Sequence, residues 1–150
     1  MGKSKAGPFV TERGIRRMST PITPELTNIR TGRHDTFDRV VLDFNGVQPG
    51  ATFELVDELI EDGSGEVVWL TGCQFVAVRA EPAAAHDEAG NPTYTGPRKF
   101  RTRNLVNVMA VAITGDFEAV LGVGLGLRHT ADVKVFTLTG PTRVVIDVSR

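Results

Sequence analysis

Apolar and polar or small residues alternate strictly from Phe117 to Leu127: Phe117, Ala119, Leu121, Val123, Leu125 and Leu127 against Glu118, Val120, Gly122, Gly124 and Gly126. A period of two sends successive side chains to opposite faces of an extended chain, so the pattern predicts a strand with one apolar face. The same period sorts Asp38-Arg39-Val40-Val41-Leu42-Asp43-Phe44, where Val40, Leu42 and Phe44 share one face and Arg39, Val41 and Asp43 the other. Thr142-Arg143-Val144-Val145-Ile146-Asp147-Val148 repeats that arrangement near the other end of the chain. Burying a large apolar side chain is worth about 1.5–3 kcal/mol. A slip by one residue would bury Arg and Asp instead, so the pattern dictates register.

Between these stretches the chain is cut into short apolar runs. Residues 1–24 contain few apolar side chains and repeated Gly and Pro, and are expected to form a flexible tail ahead of one domain over 25–150. Leu26–Arg30 reads as a first short strand. Asn45-Gly46 and Pro49-Gly50 are chain breakers, and Thr52–Leu59, with Phe53 and Leu55 alternating, is a weaker strand. Glu61-Asp62-Gly63-Ser64-Gly65 predicts a hairpin turn into Val67-Val68-Trp69-Leu70. Phe75–Ala80 is a strand stopped by Pro82, and the alanines that follow suit one helical turn. Leu105–Ile113 is apolar and is broken by Gly115-Asp116; Val133–Leu138 and Arg143–Val148 complete the set. Eight or nine short strands without a sustained helical period predict an all-β antiparallel fold, a sandwich or a barrel.

Charge narrows the functional classes. The 17 basic and 18 acidic residues nearly cancel, so no global field directs the chain to nucleic acid or a membrane surface. The first 24 residues are locally basic, with Lys3, Lys5, Arg13, Arg16 and Arg17 against Glu12. A single cysteine rules out an intrachain disulfide, and Cys73 reads as a buried free thiol. No apolar run has the length of a transmembrane span, and neither an export signal nor a lipid-attachment cysteine is read near the start.

Candidate chemistry is sparse. Gly122, Gly124 and Gly126 lie inside a strand rather than between a strand and a helix, which argues against a phosphate loop and for close approach of another backbone, or a flat groove. His34-Asp35 and His86-Asp87 are adjacent pairs whose side chains point apart on an extended chain, and His129 stands alone. No nucleophile motif and no zinc-ligand spacing accompanies them, so a hydrolase centred on His34 or His86 is a distant alternative and no metal or cofactor is expected. Asp87, Glu88 and Asn91 offer clustered oxygens, but not in the order of a calcium loop. Arg98, Lys99, Arg101 and Arg103 surround Phe100 near Tyr94. Such a cluster suits an anionic polymer held by charge and stacking, which makes Tyr94, Arg98 and Arg101 candidate ligand contacts.

Taken together, Thr31–Phe44, Ala83–Tyr94, Gly115-Asp116-Phe117-Glu118 and the ending from Phe136 to Val148 resemble the AMIN-like domains of actinobacterial envelope proteins, over about residues 26–149. The resemblance implies an antiparallel β-sandwich without catalytic activity, placed in the cell envelope or outside the cytoplasm. The related AMIN domains are similar in their paired Arg-Val-Val-aliphatic-Asp strands and bring cell-wall amidases and secretins to the envelope by contacting peptidoglycan. By that analogy Arg39, Asp43, Arg143 and Asp147 are candidate surface contacts with peptidoglycan or an envelope protein. A protein-interaction module that docks through an edge strand or the 83–103 loop is the alternative.

Overall fold

The computed structural model describes residues 23–150. Within them the chain forms eleven strands and no helix: β1 (Glu25–Arg33), β2 (Phe37–Asn45), β3 (Gly50–Val56), β4 (Leu59–Ile60), β5 (Val67–Val68), β6 (Gln74–Glu81), β7 (Lys99–Arg101), β8 (Val108–Phe117), β9 (Val120–Leu127), β10 (Val133–Leu138) and β11 (Arg143–Ser149). The first sheet has the order β1-β2-β11-β10 and the second β3-β6-β9-β8-β7, while β4 and β5 pair as a separate ribbon. All strand pairs are antiparallel. Both main sheets have free edges, so the architecture is a sandwich and not a barrel. Of the expected tail over residues 1–24, residues 1–22 lie outside the described residues.

Alternation builds the core. Leu26, Val40, Leu42 and Phe44 join Val144, Ile146 and Val148 on the inner face of the first sheet. They pack with Val76, Val78, Val111 and Ile113, and with Leu121, Val123, Leu125 and Leu127 of the second sheet. The two echoing strands are direct neighbours. Antiparallel pairing sets Val40 opposite Ile146 and Leu42 opposite Val144, and it sets Arg39 opposite Asp147 and Asp43 opposite Arg143. An Arg-x-x-x-Asp spacing in both strands is what sets each Arg opposite the other strand's Asp in register. Val41 and Val145, paired on the outward face beside these charges, are buried as well, so that face is less solvated than its charges suggest.

The strand count exceeds eight or nine because β4 and β7, of two and three residues, are too short to show a period, while the expected strand over Val67-Val68-Trp69-Leu70 is shortened to β5. Gly115-Asp116 does not end a strand: β8 runs through it to Phe117, past a bulge between Ile113 and Gly115. The run from Phe117 to Leu127 is therefore the end of one strand, a hairpin and the next strand. Glu118 and Ala119, at φ 53° and 62°, form the two-residue loop, whose twist requires positive φ at both positions. Ala83–Ala85 do not form a helical turn. They are extended and buried, with Leu26 donating to the Ala84 carbonyl at 2.7 Å and Ala84 donating to that of Pro24 at 3.0 Å. Cys73 is exposed rather than buried, because its segment crosses the outside of the second sheet, where its N–H bonds Leu127 O at 2.7 Å. Phe53 and Leu55 remain partly exposed because β3 is a sheet edge.

The glycines of β9 explain that crossing. Gly122, Gly124 and Gly126 lie on the outward face of the second sheet, paired with Arg79, Ala77 and Phe75 of β6 respectively. A Cβ on Gly126 would overlap the Thr71 carbonyl oxygen, and one on Gly124 would sit 2.5 Å from Leu59 Cδ1. One on Gly122 would meet Thr114 Oγ1 at 2.6 Å. The close-approach reading holds, and the flat groove is filled by the chain's own 59–72 segment. Leu59, only 2% exposed, is buried in it.

Candidate binding surfaces

Two surfaces carry the residues singled out by sequence. On the outer face of the first sheet, Arg39 holds Asp147 with two hydrogen bonds, Nε–Oδ1 at 2.7 Å and Nη2–Oδ2 at 2.9 Å. Its guanidinium carbon also lies 5.3 Å from the Phe37 ring centre and 5.9 Å from that of Phe136, within cation–π range. Asp43, although opposite Arg143 in register, is gripped by Arg30 of β1 at 2.6 and 2.9 Å. Arg143 instead donates to Pro141 O at 2.6 Å and Thr139 O at 3.4 Å. The hydrogen bonds to Asp147 and Asp43 raise the pKa of Arg39 and Arg30 above the ordinary arginine value. All four sheet candidates are thus occupied by internal partners. Planar, two-point pairs of this kind are specific in geometry, but at a protein surface they are worth only about 0.2–1 kcal/mol.

The second surface is built by the loop after β6. Asp87 Oδ1 accepts from the backbone of Ala89 at 3.0 Å and of Asn91 at 2.9 Å. The carboxylate thereby shapes the turn, as Asp does in local backbone-bonded loops. The turn brings His86 back over β8, where its Nδ1 lies 2.7 Å from Asp116 Oδ2. The other oxygen of Asp116 accepts the Ala85 N–H at 2.9 Å. A carboxylate acceptor at Nδ1 assigns the proton of the neutral ring there and leaves Nε2 as the acceptor nitrogen. His86, Tyr94, Thr95, Gly96, Arg98 and Asp116 line an open cleft of about 560 Å³.

Within the cleft, Tyr94 is a wall rather than a free stacking platform. It is buried, its hydroxyl donates to Pro97 O at 2.8 Å, and burial raises the phenol pKa. Arg98 is exposed, and neither it nor Arg101 forms an ion pair among the described residues. Arg101 stands on β7 opposite Ala110, while Phe100 turns towards the core.

Asp116 is the residue that sequence reasoning missed. It is 30 positions from His86 and resembled a strand breaker, and only the β8–β9 hairpin and the extended alanines bring the two together. The pair gives His86 the carboxylate partner that a hydrolase would need. No hydroxyl or thiol hydrogen-bonds His86 among the described residues, so the arrangement offers a hydrogen-bonding imidazole in the same cleft as a guanidinium, without an activated nucleophile. His34 stacks on Phe37 with ring centres 4.6 Å apart, and His129 Nδ1 meets Thr130 O at 3.0 Å. Among the described residues no group of three or more His, Cys, Asp or Glu is placed to hold a metal, and no helix is long and apolar enough to cross a membrane.

Arg98 also borders a second depression, of about 290 Å³, between the β4–β5 ribbon and β7. Its lining includes Glu61, Glu66, Trp69 and Lys99, with Ala112 of β8 as floor. Lys99 Nζ donates to the Trp69 carbonyl at 2.7 Å.

The family model described as AMIN-like domain matches residues 24–150, which covers nearly all of the described chain. No curated protein and no solved structure matches it.

Proposed function

The chain belongs to the AMIN-like domain family, and from that membership we propose that it is a non-catalytic cell-envelope-binding module that holds peptidoglycan in the cleft beside His86 and Arg98. The observation that carries the choice of surface is the state of the charges. Arg39 and Asp147 hold each other, Asp43 is held by Arg30 and Arg143 donates to backbone carbonyls, so a ligand there must displace an intramolecular partner. Arg98 has no ion-pair partner to displace among the described residues, and it lines the same cleft as His86. A guanidinium is a natural partner for carboxylates, which peptidoglycan stem peptides supply. The domain then works outside the cytoplasm, where that polymer lies.

Co-sedimentation with purified sacculi tests the reading. Wild type should pellet with the sacculi. Arg98→Ala should weaken retention by about tenfold, the loss of one charge-assisted contact of about 1.4 kcal/mol. The double variant Arg39→Ala/Arg143→Ala should bind like wild type. Wild-type protein that stays in the supernatant ends the peptidoglycan assignment, and full retention of Arg98→Ala ends the assignment to the cleft.

The second reading is a protein-docking module, favoured by β3. This edge strand exposes Phe53 at 41% and Leu55 at 39%, together with an unpaired backbone edge, the arrangement that strand-addition partners use. Cross-links from a partner to β3 or to the 83–103 loop would favour it over the polymer.

A further inference from the structure

Trp69 is the only tryptophan in the chain, and it is 79% exposed, more than any other large apolar residue described. Tryptophan normally contributes to cores and interfaces through its large area, so an indole left almost wholly in water needs a reason. The indole is not on a loose loop. Its carbonyl accepts Lys99 Nζ. Two residues later the chain is pressed against Gly126, where no Cβ fits, and Cys73 N is bonded to Leu127 O at 2.7 Å. On the other side, Glu61 N donates to Glu66 O at 2.7 Å and closes the ribbon. The aromatic face is therefore presented from a segment fixed at both ends.

The surroundings of the indole select the class of ligand. Glu61 and Glu66 supply carboxylate acceptors on the ribbon side, and Arg98 and Lys99 supply donors on the β7 side. Opposite charges in one shallow groove give no net preference for an anion or a cation. They suit a neutral ring whose hydroxyl or amide groups both donate and accept, while its C–H face lies on the aromatic plane. A depression of about 290 Å³ lies at the lower limit of small-ligand sites and fits a single ring.

We infer that the groove between the β4–β5 ribbon and β7 is a sugar subsite, in which Trp69 stacks on an N-acetylhexosamine ring of a glycan strand. Arg98 borders both depressions, so the sugar subsite is contiguous with the His86–Asp116 cleft, which takes a carboxylate branching from the same strand. This inference rests on the peptidoglycan reading for the identity of the glycan, but the groove itself is recognised by its own chemistry.

The single tryptophan makes the test direct. Titration of the whole protein with chitotetraose should give a saturable change in tryptophan emission. Trp69→Ala, at an exposed position, should melt at the wild-type temperature and lose at least fivefold in sacculus retention. Saturable emission with a wild type that does not sediment would keep the sugar subsite and remove peptidoglycan as the polymer. Flat emission together with undiminished retention of Trp69→Ala overturns the subsite and leaves the peptidoglycan reading standing. Flat emission with reduced retention of Trp69→Ala also overturns it, and assigns the indole to a peptide or protein contact.

Discussion

Asp38 is a carboxylate on the core side of a strand, in the same alternation as Val40, Leu42 and Phe44, and it is fully buried. It is kept there by backbone donors: Oδ1 accepts Val106 N at 3.1 Å, and Oδ2 accepts Asn107 N at 2.6 Å and Val108 N at 2.9 Å. Asn107, also buried, continues the network, donating to Ser149 O at 2.9 Å and accepting His129 N at 3.1 Å. Hydrogen bonds to a charged group are worth about 1.5–3 kcal/mol each, and buried donors left without an acceptor are costly. Asp38→Ala should therefore lower the unfolding free energy by roughly 3 kcal/mol or more, measured as the urea midpoint at constant m-value, and Asp38→Asn by less because one acceptor oxygen survives. An Asp38→Ala protein as stable as wild type would mean that water or a shifted loop replaces the carboxylate. The period of two already directs Asp38 inward; what the sequence does not display is the loop near residue 107 that turns its N–H groups onto it. His86 and Asp116 share this feature, since each is visible alone and their pairing exists only through the fold.

At the scale of elements, the glycines of β9 and the β4–β5 ribbon form one unit. Their alternation and small size were readable, and so was the inference that another backbone comes close. Which backbone it is depends on where the ribbon folds back, and two-residue strands leave no periodic trace. The unit predicts a graded response to added methyl groups. Gly126→Ala directs a Cβ into the Thr71 carbonyl, fixed backbone that has nowhere to move, and should cost about 3 kcal/mol. Gly124→Ala meets the end of the Leu59 side chain, which can rotate, and should cost about 1 kcal/mol. Thermal or urea unfolding of the two variants checks the order, and a Gly124→Ala more damaging than Gly126→Ala would contradict it. Because the ribbon leads into Trp69, Gly126→Ala should also disturb the groove beside that indole while leaving the His86 cleft in place.

For the whole molecule, the residues gave the all-β class and two equivalent central strands but left sandwich and barrel open. Strand order is a property of long-range pairing, and the short runs could be arranged in many ways. The resemblance carried the choice of sandwich, and the free edges of both sheets agree with it. The adjacency of β2 and β11 has a mechanical consequence. β1 and β11 run in the same direction on either side of β2, so Glu25 lies at the Asn45 end of the sheet and Ser149 at the Phe37 end. Tension applied between Glu25 and Ser149 drags β1 and β11 in opposite senses along β2. Inter-strand hydrogen bonds lie across that direction, so both ladders are loaded in shear and the bonds of a ladder must yield together. Pulling Glu25 against Asn45, neighbours at one end of the same hairpin, opens the bonds one after another instead. Single-molecule pulling through handles at 25 and 149 should show a rupture force well above that for handles at 25 and 45; equal forces would mean that the central ladders do not bear the load. A module built this way holds its shape when its two ends are drawn apart.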